Sequence, residues 1–115
     1  MAAMNRDGAQ AEDLALRFLL GQGLKLKERN YTCRLGEIDL ILLDGATLVF
    51  VEVRMRSSRS FGGAAESITK RKRVRLIRAA RHYLSQQSAT PACRFDAVLL
   101  EHNGTPEWIK DALGE

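Results

Sequence analysis

Hydrophobic spacing divides this chain into a short series of elements. From Gln10 to Leu20 the residues Ala11, Leu14, Ala15, Phe18 and Leu19 recur at the spacing of one helix face, and Gly21 and Gly23 end the pattern. Leu24 to Arg29 alternates apolar with charged residues, the period of a strand with one wet face, and predicts an edge strand. Glu37 to Leu43 and Thr47 to Arg56 are runs rich in Ile, Leu, Val and Phe, separated by Asp44, Gly45 and Ala46, so they predict a hairpin of two central strands.

Residues 57–66, "SSRSFGGAAE", are polar, contain Gly62-Gly63 and show no period, which predicts a mobile loop. A long helix follows, with Ser67 or Thr69 as its cap and Ile68, Val74, Ile77, Ala80, Tyr83 and Leu84 as its apolar stripe, up to the linker "SQQSATP". Arg94 to Leu100 is expected as another strand, and the tail around Trp108 and Ile109 as a final short strand or a docking segment. The order helix, hairpin, helix, strand predicts an α/β fold with a mixed central β-sheet flanked by helices. The chain shows no internal repeat or low-complexity tract.

A length of 115 residues suits one hydrophobic core, so a single domain over 1–115 is expected. An apolar fraction of 45% with 28% charged residues lies well away from the composition of disordered chains. No apolar run approaches the roughly 18 residues of a membrane span, and the N-terminus lacks the apolar stretch of a secretory signal, so the expected location is the cytoplasm. Two cysteines and two histidines without paired spacing give neither a disulfide framework nor a structural zinc site. Any metal must then rest on carboxylates.

The formal charge of +4 is unevenly spread. Between Arg54 and Arg81 lie ten basic residues against one acid, a local +9, while the remainder, with eight basic and thirteen acidic residues, carries −5. Field strength follows local charge, so this block points to a polyanionic partner, with nucleic acid the obvious one. Arg71, Arg75, Arg78 and His82 recur at intervals of four, three and four along the second helix, with no acid between Glu66 and Asp96 to relieve them. Lys70 and Lys72, at the start of that helix, are phosphate contacts or solvent-facing residues. Arg56 and Arg59, beside the Gly62-Gly63 loop, are placed to close over a bound backbone. Phosphate contacts carry no sequence information, so recognition of nucleic-acid shape is expected.

Two acids interrupt runs that otherwise read as buried strand: Asp39 in "GEIDLILL" and Glu52 in "LVFVEVRMR". Burying an unpaired carboxylate costs several kcal/mol. If Gly45 and Ala46 form the turn, Asp39 stands directly opposite Glu52; if Asp44 and Gly45 do, Glu37 takes that position and Asp39 is a diagonal neighbour on the same face. In either register a positive group should lie between the acids, since like charges in opposed positions destabilise a sheet. Oxygen-only ligation with retained waters is the habit of Mg²⁺, which activates a bound water in phosphoryl chemistry, and Arg54 on the same strand face could steady a phosphate. The structural alternative is an ion-pair network in which Arg34, Arg54 or Arg94 neutralises the two acids.

"GEID" followed by "VFVEVRMR" resembles the Asp…Glu-x-Lys signature of the PD-(D/E)xK nucleases. With the spacing from Lys72 to Leu84 and the segment "RFDAVL", the chain more closely resembles the YraN family of uncharacterised, endonuclease-like proteins over nearly its whole length. That resemblance implies a restriction-endonuclease-like fold, Mg²⁺ or Mn²⁺ as cofactor, Asp39 and Glu52 as metal ligands and Arg54 in the place of the signature lysine. Glu12 matches the helical glutamate that such nucleases bring to the same metal; its alternative is a surface helix residue. Arginine does not deprotonate, so Arg54 cannot serve as a general base.

These readings give an expected Mg²⁺-dependent endonuclease acting on DNA, with Asp39, Glu52 and Arg54 as catalytic residues and Arg56, Arg59, Lys70, Arg71, Lys72, Arg75 and Arg78 gripping the backbone. A homodimer would supply the two sites needed to cut both strands. The alternatives are a non-catalytic nucleic-acid-binding module that keeps the fold, and an adaptor whose basic helix meets an acidic protein. Asp96 is expected to pair structurally with Arg94, and Trp108 and Tyr83 to be core or core-edge aromatics.

Overall fold

A computed structural model describes residues 2–55, 70–101 and 105–113, with side chains from residue 9 onward. The first helix, α1 (Ala2–Gly21), begins well before the expected Gln10 and buries Ala11, Ala15 and Leu19, which fall on one face at intervals of four. Leu14 was expected on this face but is 51% exposed, because it lies a turn-quarter away from that line. The chain then forms β1 (Lys25–Cys33), β2 (Gly36–Asp44) and β3 (Thr47–Met55), an antiparallel meander. The second helix, α2 (Lys70–Ser85), carries the chain to β4 (Cys93–Leu100), which pairs parallel with β3, and the short β5 (Glu107–Ile109) returns antiparallel to β4.

The sheet order is β1-β2-β3-β4-β5, so β1 is an edge strand as its alternation predicts. It runs four residues further than expected, to Cys33. α1 packs with Leu40, Leu42, Val49, Val51, Val98 and Leu100 on one face of the sheet. α2 packs with Ile38, Ile41, Leu48, Phe50 and Phe95 on the other. A mixed sheet between two helices is therefore the observed architecture, and β4, coated on both faces, is continuously buried from Phe95 to Leu100. No helix among the described residues is long and apolar enough to cross a membrane.

α2 is rotated from the expected stripe. Its buried residues are Leu76, Ala79, Ala80 and Tyr83, whereas Val74 is 39% exposed. Lys72 lies one turn before Leu76 on the same line, and so aims over the sheet. α2 also approaches the start of β2 closely, since a Cβ at Gly36 would stand 2.6 Å from the carbonyl oxygen of Arg75. On β4, opposite Val51 of β3, the fully buried Asp96 carboxylate accepts hydrogen bonds from Arg94 Nε, Trp108 Nε1 and the backbone N–H of Asp111. Arg94 also reaches Asp44 at 3.0 Å. The Asp96–Arg94 pair is thus structural, as its sequence context suggests.

The expected loop 57–66, the cap at Ser67 or Thr69, and Ile68, Arg56 and Arg59 lie outside the described residues.

Candidate metal and phosphate site

The β2–β3 turn is Gly45-Ala46, with Asp44 paired to Thr47 and Gly45 in the left-handed region at φ 64°. This is the first of the two registers open to the sequence. Pairing proceeds to Leu40↔Val51 and stops, so the next step of the same register sets Asp39 opposite Glu52 where the strands part. The alternation of faces also breaks here. Leu40 belongs to the α1 side and Ile38 to the α2 side, and on β1 their partners Arg29 and Tyr31 divide in the same way around Asn30, whose φ is 57°. Asp39 therefore leaves β2 edge-on, and its Oδ2 accepts a hydrogen bond from the backbone N–H of Val53 at 2.8 Å.

Glu52 meets Asp39 in the same gap and is held on the α2 side by two cations. Arg54 Nη1 lies 3.6 Å and Lys72 Nζ 3.9 Å from Glu52 Oε2. The Glu52 side chain is 14% exposed. Burial, foremost, pushes both carboxyls up, Asp39 to about 6 and Glu52 to about 7. The charge of Asp39 raises Glu52 further, and Lys72 and Arg54 oppose it. The Val53 N–H acts the other way on Asp39. Without a counter-cation the pair thus retains a proton near neutrality, the behaviour of two carboxyls sharing one site.

Glu12 faces the gap from α1 and its charge adds to the rise at Asp39. Its own carboxylate is 3.4 Å from Arg29 Nε, and among the described residues no three His, Cys, Asp or Glu side chains form a ready metal cluster. Asp39 and Glu52 thus form a pair, and Glu12 acts on it through its charge. Two adjacent oxygen donors, with room for retained waters, are a set that suits Mg²⁺ or Mn²⁺ and suits neither a soft nor a nitrogen-seeking metal. Beside the pair opens a cavity of about 90 Å³ lined by Glu37, Glu52, Lys72, Arg75 and Leu76.

Lys72, expected as a phosphate contact or a solvent-facing residue, is brought by the fold to Glu52, a contact that the expected apolar stripe did not show. Its spacing of four from Leu76, and of eight from Ala80, is the signal that turns its ammonium toward Glu52, with the side chain still 45% exposed. Lys70, Arg71, Arg75 and Arg78 are exposed on α2. Of the arginines named as neutralising partners, Arg54 reaches Glu52, Arg94 is committed to Asp96 and Asp44, and Arg34 makes no ion pair among the described residues.

The model of the uncharacterised protein family UPF0102 matches residues 11–100. The chain is 53% identical to a UPF0102 protein of Nitrosomonas eutropha over 115 residues, 100% of this chain and 99% of the relative. It is 58% identical over 108 residues to a UPF0102 protein of Nitrosospira multiformis, covering 92% of this chain and 91% of that one. A UPF0102 protein of Cupriavidus taiwanensis is 57% identical over 108 residues, 92% of this chain and 81% of the relative.

Proposed function

Because the chain belongs to the uncharacterised protein family UPF0102, whose name assigns no activity, its function has to be read from the site, and we propose a Mg²⁺-dependent endonuclease-like domain that hydrolyses nucleic-acid phosphodiesters. The restriction-endonuclease-like fold is part of this proposal. The observation that carries it is the half-buried Asp39–Glu52 pair at the parting of two strands, with Arg54 and Lys72 beside it.

Asp39 and Glu52 would hold the cation. Once bound, Mg²⁺ or Mn²⁺ would supply a Lewis acid for a phosphate oxygen and lower the pKa of an attacking water. Arg54 and Lys72 contribute positive charge where a pentacoordinate phosphorus accumulates negative charge, and being already positioned they need not reorganise for it. Glu12 holds Arg29 and adds negative field from the α1 side. The exposed Arg71, Arg75 and Arg78 have no acid on their own helix, and cations in the first described turn of α2 oppose the helix dipole, so polyphosphate relieves two repulsions together. Shape rather than base sequence sets the selectivity of such contacts.

Incubating the protein with linear and branched DNA in Mg²⁺ or Mn²⁺ tests the reading. Cutting that disappears in Asp39→Ala and Glu52→Ala, with binding retained, supports it; equal cutting in those variants rejects it. A second reading, a non-catalytic nucleic-acid platform, draws on the contacts of Glu52 with Arg54 and Lys72, which supply positive charge without a metal. Salt-sensitive binding with no cutting and no dependence on Asp39 would select it.

A further inference from the structure

At the opposite end of α2 from Lys72, a second group of polar side chains is assembled with no part in the carboxylate pair. Tyr31 Oη hydrogen-bonds His82 Nδ1, and Gln86 Nε2 lies 3.3 Å from both Tyr31 Oη and His82 Nδ1. Tyr31 is buried against Tyr83 in an edge-on ring contact, so its hydroxyl is fixed from below, and burial pushes its pKa up, which keeps the proton on it. An amide nitrogen only donates. The arrangement that satisfies every group has Gln86 Nε2 donating to Tyr31 Oη and Tyr31 Oη donating to Nδ1, which leaves Nε2 as the ring nitrogen that carries a proton. That nitrogen has no hydrogen-bond partner among the described residues, on a side chain that is exposed. A histidine whose tautomer is fixed from one side presents an oriented N–H donor on the other.

His82 also continues the line Arg71, Arg75, Arg78 at helical spacing, and all four are exposed. Arg75 lines the cavity beside Glu52, so the line begins at the metal pair and ends at the Tyr31–His82–Gln86 group. Ten residues of helix separate Lys72 from His82, about 15 Å at 1.5 Å per residue. That is about four nucleotides of one strand measured along a duplex axis.

We propose that the Tyr31–His82–Gln86 group is a backbone-phosphate contact, the far end of a track along α2 that starts at Lys72 and Arg75 and holds the nucleic acid about four nucleotides from the reacting phosphate. It rests on the reading that the polyanion is nucleic acid, and is independent of whether the carboxylate pair cuts. Tyr31 and Gln86 are positioning residues, and His82 touches the phosphate.

The test is fluorescence anisotropy of labelled 20-nucleotide single-stranded and duplex DNA with the full chain in EDTA, where no cutting occurs. His82→Ala is expected to weaken binding about fivefold to tenfold, the upper part of the range for one ordinary hydrogen bond at an exposed surface. Tyr31→Phe is expected to weaken it in the same direction by less, and His82→Lys to restore it. Unfolding curves close to the wild type separate these effects from lost structure, and His82→Asn replaces His82→Ala where the latter unfolds. Affinities within twofold of the wild type in folded His82→Ala or His82→Asn overturn the inference. A wild type that binds neither DNA overturns it together with the nucleic-acid reading. Weakened binding in a protein that never cuts upholds it while the nuclease reading falls. If the protein does cut, His82→Ala raises KM and leaves kcat within twofold.

Discussion

Asp39 and Val53 are joined across the open end of the β2–β3 hairpin by a backbone-to-carboxylate hydrogen bond of 2.8 Å, one residue beyond Leu40 on β2 and two beyond its partner Val51 on β3. The side chain takes over where the ladder stops, and this aims Asp39 into the gap that Glu52 enters. Two acids on adjacent strands are thereby turned from a repulsive cross-strand pair into a single site.

The first consequence is a dependence of stability on pH. Both carboxyls titrate near 4 in an unfolded chain, against about 6 for Asp39 and about 7 for Glu52 in the fold. Between roughly pH 4 and 7 the folded protein therefore holds more protons than the unfolded one, and stability falls as pH rises. In EDTA the loss is expected to run through that window and to level off above it. Urea unfolding at intervals from pH 4.5 to 8 measures it. Glu52→Gln should flatten the slope and exceed the wild type in stability at pH 7.5; a slope unchanged by that substitution contradicts the pairing.

Gly36 sets the height of α2 over the site. Its hydrogen stands where a Cβ would lie 2.6 Å from the backbone of Arg75, and backbone cannot yield as a flexible side chain can. Gly36→Ala is expected to destabilise the protein by about 1–3 kcal/mol, the range for overpacking, and to draw Lys72 away from Glu52. Denaturant melts give the first quantity. The second is read as lost cutting in whatever fraction remains folded.

Asp96 ties β4 to the chain after β5 through three donors. Removing it leaves Trp108 Nε1 and the Asp111 N–H without their acceptor, and leaves Arg94 with Asp44 alone. Asp96→Ala should therefore destabilise by about 3 kcal/mol, the low end for breaking a buried pair because Asp44 remains. Chemical unfolding checks this, and DNA affinity of the folded protein should not change.

Much of this molecule was legible from spacing alone. The hairpin, the edge strand and both helices follow from period-two and helical patterns, and the two acids stood out because they interrupt apolar runs. What spacing could not show is where alternation fails. The face reversal at Asn30 and Asp39 depends on one residue adopting φ 57° and on strands diverging beyond Leu40, which are tertiary choices. Lys72 stayed open between phosphate contact and solvent-facing residue for a related reason: Val74, apolar yet exposed, suggests a stripe rotated from the true one, which hides the approach of the lysine to Glu52.

The two cations beside Glu52 should be separable from the basic track. Arg54→Ala and Lys72→Ala are each expected to lower kcat by about 10²–10³, the usual loss on removing one group that stabilises transition-state charge. Arg78→Ala should instead reduce affinity and lower the salt slope of binding by about one. Single-turnover cutting beside a salt titration of binding distinguishes the two classes.

The most direct test of the central claim is calorimetric titration of Mn²⁺ and Mg²⁺ into the wild type and Asp39→Asn at pH 7.5, repeated in buffers of different ionisation enthalpy. The wild type should bind one ion and release protons as the carboxyls give up what they hold, while Asp39→Asn should bind at least tenfold more weakly and release fewer. Equal affinity in the two proteins, or no metal heat in the wild type, would contradict a shared cation site at Asp39 and Glu52.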